Sequence, residues 1–266
     1  MNSEYINRLG TELSGMDGGN INAKLWFCGL EWGGTPNLEG NEEKLPTYKS
    51  QGISNAIPCV DSNWVERVRS TDKKVTKPQF DQKIAKIILS WMGKQWQNPK
   101  DKATYYHYHT YMENRLHFQD GDIFKLNLYP EAKSSFWDWI EANMSQRTGC
   151  ITPFEFYAKC MEYRFPMIKN LVDKCSPDVV VCIGKEHMNE YIAAFWGREV
   201  LRDVNGGYSE IVPTERFLLS NDFTVSVYST NKPILIGLPF LGSQLLSDVD
   251  MIAIGSLLHS YTKPTA

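Results

Sequence analysis

Glu31 stands where a carboxylate can do chemistry. It follows Leu25-Trp26-Phe27-Cys28-Gly29-Leu30 and precedes Trp32-Gly33-Gly34, so an apolar run ends abruptly in a glycine-bounded acid. A short run of that kind reads as a buried strand that stops at a turn. In open α/β sheets, ligands bind just beyond the carboxyl ends of strands, and adjacent glycines let backbone approach closely. The same acid would also suit a helix N-cap or a solvated turn. A second polar group, Tyr105-Tyr106-His107-Tyr108-His109 with Tyr111, can stack on rings and donate hydrogen bonds. It reads equally as an aromatic strand that alternates in and out. His187, just past another strand-like run ending at Gly184, stands either near that strand end or in the first turn of a helix.

The chain around these residues has 266 positions, which suits one large domain or two small ones. Hydrophobic residues make up 42% and charged residues 22%, ordinary values for a protein that buries a core. No uninterrupted apolar stretch approaches the roughly 18 residues that a membrane span requires. Met1-Asn2-Ser3-Glu4-Tyr5 lacks a basic region followed by an apolar one. A cytoplasmic protein with no membrane partner is expected. The cysteines, Cys28, Cys59, Cys150, Cys160, Cys175 and Cys182, include no Cys-x-x-Cys pair, which argues against structural zinc and iron–sulfur clusters. No metal and no cofactor are expected. Cys28 and Cys182 lie in apolar runs, where a thiol behaves as a small hydrophobe, and disulfides are not expected in a reducing compartment.

Net charge is −3, but it is unevenly spread. Residues 64–102 hold ten bases against four acids, a net of +6 that leaves −9 for the rest. Such asymmetry fits a phosphate-facing surface on an acidic protein. It fits a solvated helix face with flanking loops equally well.

The elements that must position Glu31 alternate between strand-like and helix-like. Residues 24–29, 123–128, 178–184, 224–228 and 233–238 read as strands. Of these, 178–184 is the strongest, continuously apolar as in a parallel strand covered on both faces. Residues 36–58 read as a loop region. Residues 78–92 read as a helix, with Phe80, Ile84, Ile87, Ile88 and Trp91 at helical spacing, Pro78 in the first turn and Gly93 at the end. Further helices are expected over 135–144, from Thr152-Pro153-Phe154-Glu155 to Cys175 with an interruption at Pro166, over 185–195 and over 243–259. The alternation implies an α/β fold, a three-layer α/β/α sandwich with a central, mostly parallel sheet. One domain over 1–266 is expected, with a basic, aromatic-rich elaboration around residues 60–120.

Three strand ends now stand in order: Gly29-Leu30-Glu31-Trp32-Gly33, Lys125-Leu126-Asn127-Leu128-Tyr129-Pro130, and Ile236-Gly237-Leu238-Pro239-Phe240-Leu241-Gly242-Ser243. Pro177-Asp178-Val179-Val180-Val181-Cys182-Ile183-Gly184 lies between the last two. This order resembles the uracil-DNA glycosylase superfamily over most of the span from Lys24 to about His259. That family has a Gly-x-acid/Asn-Pro-Gly/Tyr loop that activates water, and an Asn at a later strand end that reads the pyrimidine edge. A Pro-Asp-Val-Val-type strand ending in Gly follows, and then a His/Asn-Pro-Ser loop that reaches into DNA. The resemblance gives Glu31 the water-activating position, Asn127 the base-reading one, and Leu238-Pro239-Phe240 the place of His-Pro-Ser. Trp32 stands where the family usually has Pro, and Leu238 where a His or Asn stabilises the departing base. Leu cannot donate a hydrogen bond. The departures imply an altered pocket and a base other than uracil, as in superfamily members that attack modified bases, including hypermodified phage DNA.

In such a site a carboxylate stabilises positive charge on the sugar and orients the attacking water. Glu31 should be ionised for both tasks at neutral pH, given a reference value of about 4.3. Asn127 offers a carbonyl and an NH2 that match a pyrimidine's edge, or it serves as a strand-end turn residue before Pro130. Gly29, Leu30, Gly33 and Leu238 would line the base pocket, and Trp32 and Tyr48 would stack on the extruded base. Pro239, Phe240, Leu241 and Ser243 would wedge into the duplex or contact its backbone, or Phe240 and Leu241 would pack on the last helix. Ser243 and Gln244 would begin that helix, with its N-terminal NH groups near a phosphate. One of the histidines at 107 and 109 would supply the leaving-group donor that Leu238 cannot.

The expected activity is that of a monofunctional DNA glycosylase on a non-canonical pyrimidine, glucosylated hydroxymethylcytosine of phage DNA among the candidates. It would act by base flipping as a monomer and leave an abasic site. Two other readings stay open. One is a non-catalytic DNA-binding or sensing protein on the same fold, and the other a nucleoside or nucleotide N-glycosidase.

Overall fold

The computed structural model describes residues 18–30, 70, 79–97, 106–130, 144–242 and 246–264. Seven strands form one sheet: β1 (Gly18–Gly19), β2 (Leu25–Gly29), β3 (Ile123–Asn127), β4 (Val179–Ile183), β5 (Glu215–Leu218), β6 (Thr224–Tyr228) and β7 (Ile234–Leu238). The helices are α1 (Gln79–Trp91), α2 (Tyr108–Asn114), α3 (Met144–Thr148), α4 (Pro153–Lys159), α5 (Phe165–Cys175), α6 (Met188–Phe195) and α7 (Asp248–Tyr261).

The strand order is β1-β3-β2-β4-β7-β6-β5. The four central strands, β3, β2, β4 and β7, are parallel. At the edges, β1 pairs antiparallel with β3, β6 with β7, and β5 with β6. The sheet is therefore mixed, with a parallel centre.

Every residue of the four central strands is buried, which requires cover on both faces. Alternation along each strand sorts their side chains into two cores. Leu25, Phe27, Ile123, Val179 and Val181 join Ile84, Ile88 and Trp91 of α1, Met112 of α2, and Ile254 and Leu258 of α7. Trp26, Cys28, Phe124, Leu126 and Val180 join Phe156 of α4, Ile168 of α5, and Tyr191 and Phe195 of α6. The result is an α/β fold with helices on both faces of the sheet.

Several expectations meet their structural reasons here. The helix expected over 78–92 is α1, and Gly93 ends it in the left-handed region at φ +69°. Thr152 Oγ1 accepts a hydrogen bond from Glu155 N at 3.1 Å, while Glu155 Oε2 reaches back to Ile151 N rather than to the cap's own N–H. The interruption expected at Pro166 is absent, because α4 runs into α5 through a π-helical turn, Cys160–Arg164. Pro166 lacks an N–H and would crowd the carbonyl four residues back, and the wider turn just before it relieves that crowding. The segment 105–111 is not a strand where it is described, since Tyr108 starts α2. Residues 185–195 begin with a 3₁₀ turn, Lys185–His187, before α6. The helix expected over 135–144 lies almost wholly outside the described residues, as does the loop region 36–58. The closing helix begins at Asp248, five residues later than expected. β1 and β5 carry no apolar signal: the first is two glycines, and the second is mostly exposed.

The start of α7 is fixed by a reciprocal cap between Ser247 and Asp250. The buried Asp250 carboxylate also accepts from Ser220 N at 2.8 Å and from the Ser220 hydroxyl. Burial alone would raise its pKa, but the bonds from Ser220 and Ser247 outweigh burial and hold it below the ordinary carboxylate value. A depressed folded-state value contributes stability that is complete above the unfolded value of about 3.9 and is lost as pH falls through the folded one. D250N should lower the urea midpoint at pH 7, and the gap from the parent should narrow below about pH 4.

Along its length α7 meets α1 at Gly255. A Cβ there would lie 2.4 Å from Ser90 Cβ and 2.7 Å from both Ile87 O and Trp91 N. Two of those atoms are backbone and cannot rotate away. G255A should cost about 1–3 kcal/mol in urea unfolding as the two helices are forced apart.

Candidate functional site at the carboxyl ends of the parallel strands

The site residues expected from sequence that are described gather at the carboxyl edge of the sheet. Asn127, the last residue of β3, pairs with Gly29, the last residue of β2. Across the sheet, Ile183 of β4 pairs with Leu238 of β7. The strands keep company beyond their ends, with Leu128 N donating to Gly29 O at 3.0 Å and Tyr129 N to Leu30 O at 2.7 Å. Gly184 N donates to Leu238 O at 2.9 Å, and Gly184 turns the chain at φ +100°.

The carboxamide of Asn127 lies over Gly29. Its Oδ1 is 2.7 Å from the point where a Cβ on Gly29 would stand. Gly29 is therefore required by close approach rather than by its backbone angles. Asn127 is 2% exposed, so its amide is held in a largely water-free setting where a hydrogen bond discriminates strongly.

From the face covered by α4, α5 and α6, Arg164 fixes the end of β3. Its Nε donates to Leu128 O at 2.7 Å and its Nη2 to Asn127 O at 2.9 Å. The guanidinium is fully buried and comes from the π-helical turn, a feature frequent at functional sites. Two charge-assisted bonds from one planar fork set the direction in which Asn127 leaves the strand.

The opposite face brings in residues that the sequence reading did not select. Lys125, two positions before Asn127, is buried, with Nζ 4.8 Å from the centre of the Phe80 ring at the start of α1. Phe80 in turn lies 6.2 Å from the ring of Phe240, in the loop after β7. Asp81 beside Phe80 is buried, and its Oδ1 is 3.3 Å from Nε2 of the buried His117. His117 sits in the left-handed region at φ +64°, an uncommon conformation for a residue other than glycine. The one available signal was a lysine inside the otherwise apolar run Ile123-Phe124-Lys125-Leu126.

Other candidates fare differently. Leu30 is partly buried, and its Cδ1 is 3.9 Å from the Cβ position of Gly184. Leu238 is fully buried in the core beneath α1 and α7 and does not line an opening. Pro239 is also buried. Leu241 cannot wedge into anything as placed, because it is fully buried in that same core. From Leu238 to Leu241 only Phe240 projects, at 58% exposed. Glu31, Trp32, Gly33, Tyr48 and Ser243 lie outside the described residues, as do Tyr105 and Gln244.

The aromatic and histidine group is engaged locally. His107 caps α2, with Nδ1 accepting from His109 N at 3.2 Å, and its ring stacks on Tyr108 and His109. Tyr111 Oη donates to Asp122 at 3.0 Å, and burial, then the Asp122 carboxylate, push its phenol well above the usual value. His187 Nδ1 meets Glu190 Oε1 at 3.1 Å. In the basic stretch, Lys86 is bound to Asp248 at 2.7 Å and lies against the rings of Trp96 and Tyr108, so it is not a free phosphate contact. A separate groove of about 310 Å³, lined by Lys94, Gln95, Trp96 and Ile252 among others, lies at the far end of α1 from Phe80. Among the described residues no three His, Cys, Asp or Glu side chains converge as a metal site, and no helix is long and apolar enough to cross a membrane.

No protein-family model, curated protein or solved structure matches the chain. The site must therefore be read from its own geometry. That geometry sets the buried Asn127 amide in the space that a side chain on Gly29 would take, with the buried Lys125 two residues earlier on the same strand and the exposed Phe240 ring on the loop after β7. The atom that a side chain at position 29 would meet is the tip of the Asn127 amide, not backbone. G29A should therefore displace that amide and weaken ligand binding or turnover about tenfold or more, with a loss of stability below about 1.5 kcal/mol. Thermal melting alongside an activity or binding assay separates the two effects.

Proposed function

We propose that the chain is a DNA glycosylase of the uracil-DNA glycosylase type that releases a modified pyrimidine. Glucosylated hydroxymethylcytosine, as in phage DNA, is among the candidate bases. The observation that carries this reading is the contact of Asn127 with Gly29 at the carboxyl edge of a parallel sheet, with Glu31 two residues beyond Gly29 in the chain. Ligands gather at this edge in open α/β folds. The family-like order of Glu31, Asn127 and the loop after Leu238 gives the edge its chemistry.

In this reading the target nucleotide leaves the duplex, at a cost of a few kcal/mol that phosphate contacts and stacking offset. The Asn127 amide grips the edge of the ring, on a backbone held by Arg164. The Glu31 carboxylate orients a water towards the anomeric carbon and stabilises the positive charge that forms on the sugar. Phe240, exposed at the tip of its loop, is the residue suited to fill the gap in the stack. The protein would act as a single domain and a monomer, in the cytoplasm, either in repair or in defence against phage.

The buried, apolar Leu238 favours a second reading, in which the same fold binds DNA without cleaving it. A nucleoside or nucleotide N-glycosidase would use the same carboxylate chemistry on a small molecule. All three are separated by incubating the protein with DNA carrying uracil, hydroxymethylcytosine or glucosylated hydroxymethylcytosine, and with the matching nucleosides, and measuring free base and abasic sites. Release from DNA is expected, with E31Q slower by about 10²–10⁴. Salt-dependent DNA binding without release would point to the binder. Unchanged turnover by E31Q would remove Glu31 from the mechanism.

A further inference from the structure

We propose that His187, at the crevice between the carboxyl ends of β2 and β4, is the proton donor to the departing base. The inference rests on the glycosylase reading and adds to it the leaving-group donor that Leu238 cannot supply.

The order of the sheet picks out the crevice. From β2 the chain goes on to β3 on one side, and from β4 it goes on to β5, β6 and β7 on the other. β2 and β4 are neighbours, so connections leave their carboxyl ends in opposite directions and open a gap between them. Open α/β sheets bind ligands at such a switch point. Three side chains meet there at Gly184, the residue after β4. The point where its Cβ would stand is 3.6 Å from Glu186 Oε1, 3.9 Å from His187 Cδ2 and 3.9 Å from Cδ1 of Leu30, which directly follows β2. Lys185, in the same turn, is directed elsewhere, with Nζ donating to Thr224 Oγ1 at 2.7 Å.

The ring of His187 is held in a particular way. The residue stands at the N-cap of α6, yet its side chain does not cap the helix. Its Nδ1 instead meets Glu190 Oε1 at 3.1 Å. A carboxylate only accepts, so it fixes the hydrogen on Nδ1 and the direction of the ring, as in catalytic pairs that hold an imidazole for proton transfer. The ring edge opposite Nδ1 is Cδ2–Nε2, and Cδ2 is the atom that stands at the Gly184 notch. Among the described residues Nε2 has no hydrogen-bond partner, and the side chain is 40% exposed. One nitrogen is therefore tied to a carboxylate, and the other is open to solvent beside the crevice, where a proton can be given and regained.

The step balances on this one side chain. With Nε2 protonated, its N–H donates to O2 of the base. The C1′–N1 bond breaks, its electron pair passes to the base, and the proton moves from Nε2 to O2. Water oxygen bonds to C1′ and releases one proton to solvent. The neutral imidazole takes one up again, and the net change is addition of water across the glycosidic bond.

The test is single-turnover base release from DNA carrying uracil, hydroxymethylcytosine or glucosylated hydroxymethylcytosine, with the base that the parent protein releases taken forward. H187A should slow release by about 10²–10⁴, and imidazole added to the buffer should restore part of the rate. H187Q should lose as much, since an amide donates a hydrogen bond but transfers no proton, and it serves if H187A fails to fold. E190Q should lose about tenfold or more because the ring is no longer held in one tautomer, and imidazole should not restore that loss. An undiminished rate in H187A and H187Q, or a loss in H187A that imidazole leaves untouched, would overturn the role of His187 while leaving the glycosylase reading standing. Release of no base by the parent protein would sink that reading and this inference together.

Discussion

Burial of the central strands on both faces is the constraint from which the site follows. β2, β3, β4 and β7 have no solvent side, so polar groups in their middles must find partners inside the protein, and their ends are the natural place for a ligand. In three of these strands the five residues are apolar, cysteine or glycine. β3 alone carries polar side chains, Lys125 and Asn127, both on the face covered by α1, α2 and α7. Polar groups buried in such a setting are costly unless they are partnered. Both stand at or just before the carboxyl end of their strand, the edge at which open α/β sheets hold ligands.

Two further features make sense as supports of the same strand. Arg164 brings a buried guanidinium to the carbonyls of Asn127 and Leu128, and the π-helical turn that delivers it lies directly before Pro166. One irregularity therefore serves the helix, which passes a proline without breaking, and the strand, whose end gains a rigid anchor. Gly29 supports Asn127 from the neighbouring strand by having no side chain at all. A side chain that is to bind by hydrogen bonding must be held within about 0.5 Å of its productive place. Backbone fixed from one side and space cleared on the other together achieve that.

The parts legible in the sequence are those whose physics is local. The continuous apolar run before Gly184, the period of α1 and the strand-end placing of Asn127 all lie within a window of a few residues. Lys125 and Arg164 were not legible, because what matters about them is long range. Arg164 meets carbonyls 36 and 37 residues away, and His117 meets Asp81 across 36. In one dimension a lysine inside a strand looks like a residue on a solvent face. The alternating Tyr and His residues at 105–109 imitate a strand's period of two, and the His107 cap with the buried Tyr111 and Met112 decides for a helix. For Leu241, after Pro239 in a loop, the sequence left both a wedge and packing on the last helix open, and the structure decides for packing, in the core beside α7.

The loop after β7 divides its residues by burial. Leu238, Pro239 and Leu241 are buried and Phe240 is exposed, so three apolar side chains anchor the loop while the fourth stands at the surface. The Phe240 ring lies 6.2 Å from that of Phe80, and this contact couples the position of the loop to the start of α1, the helix that covers the same face of the sheet.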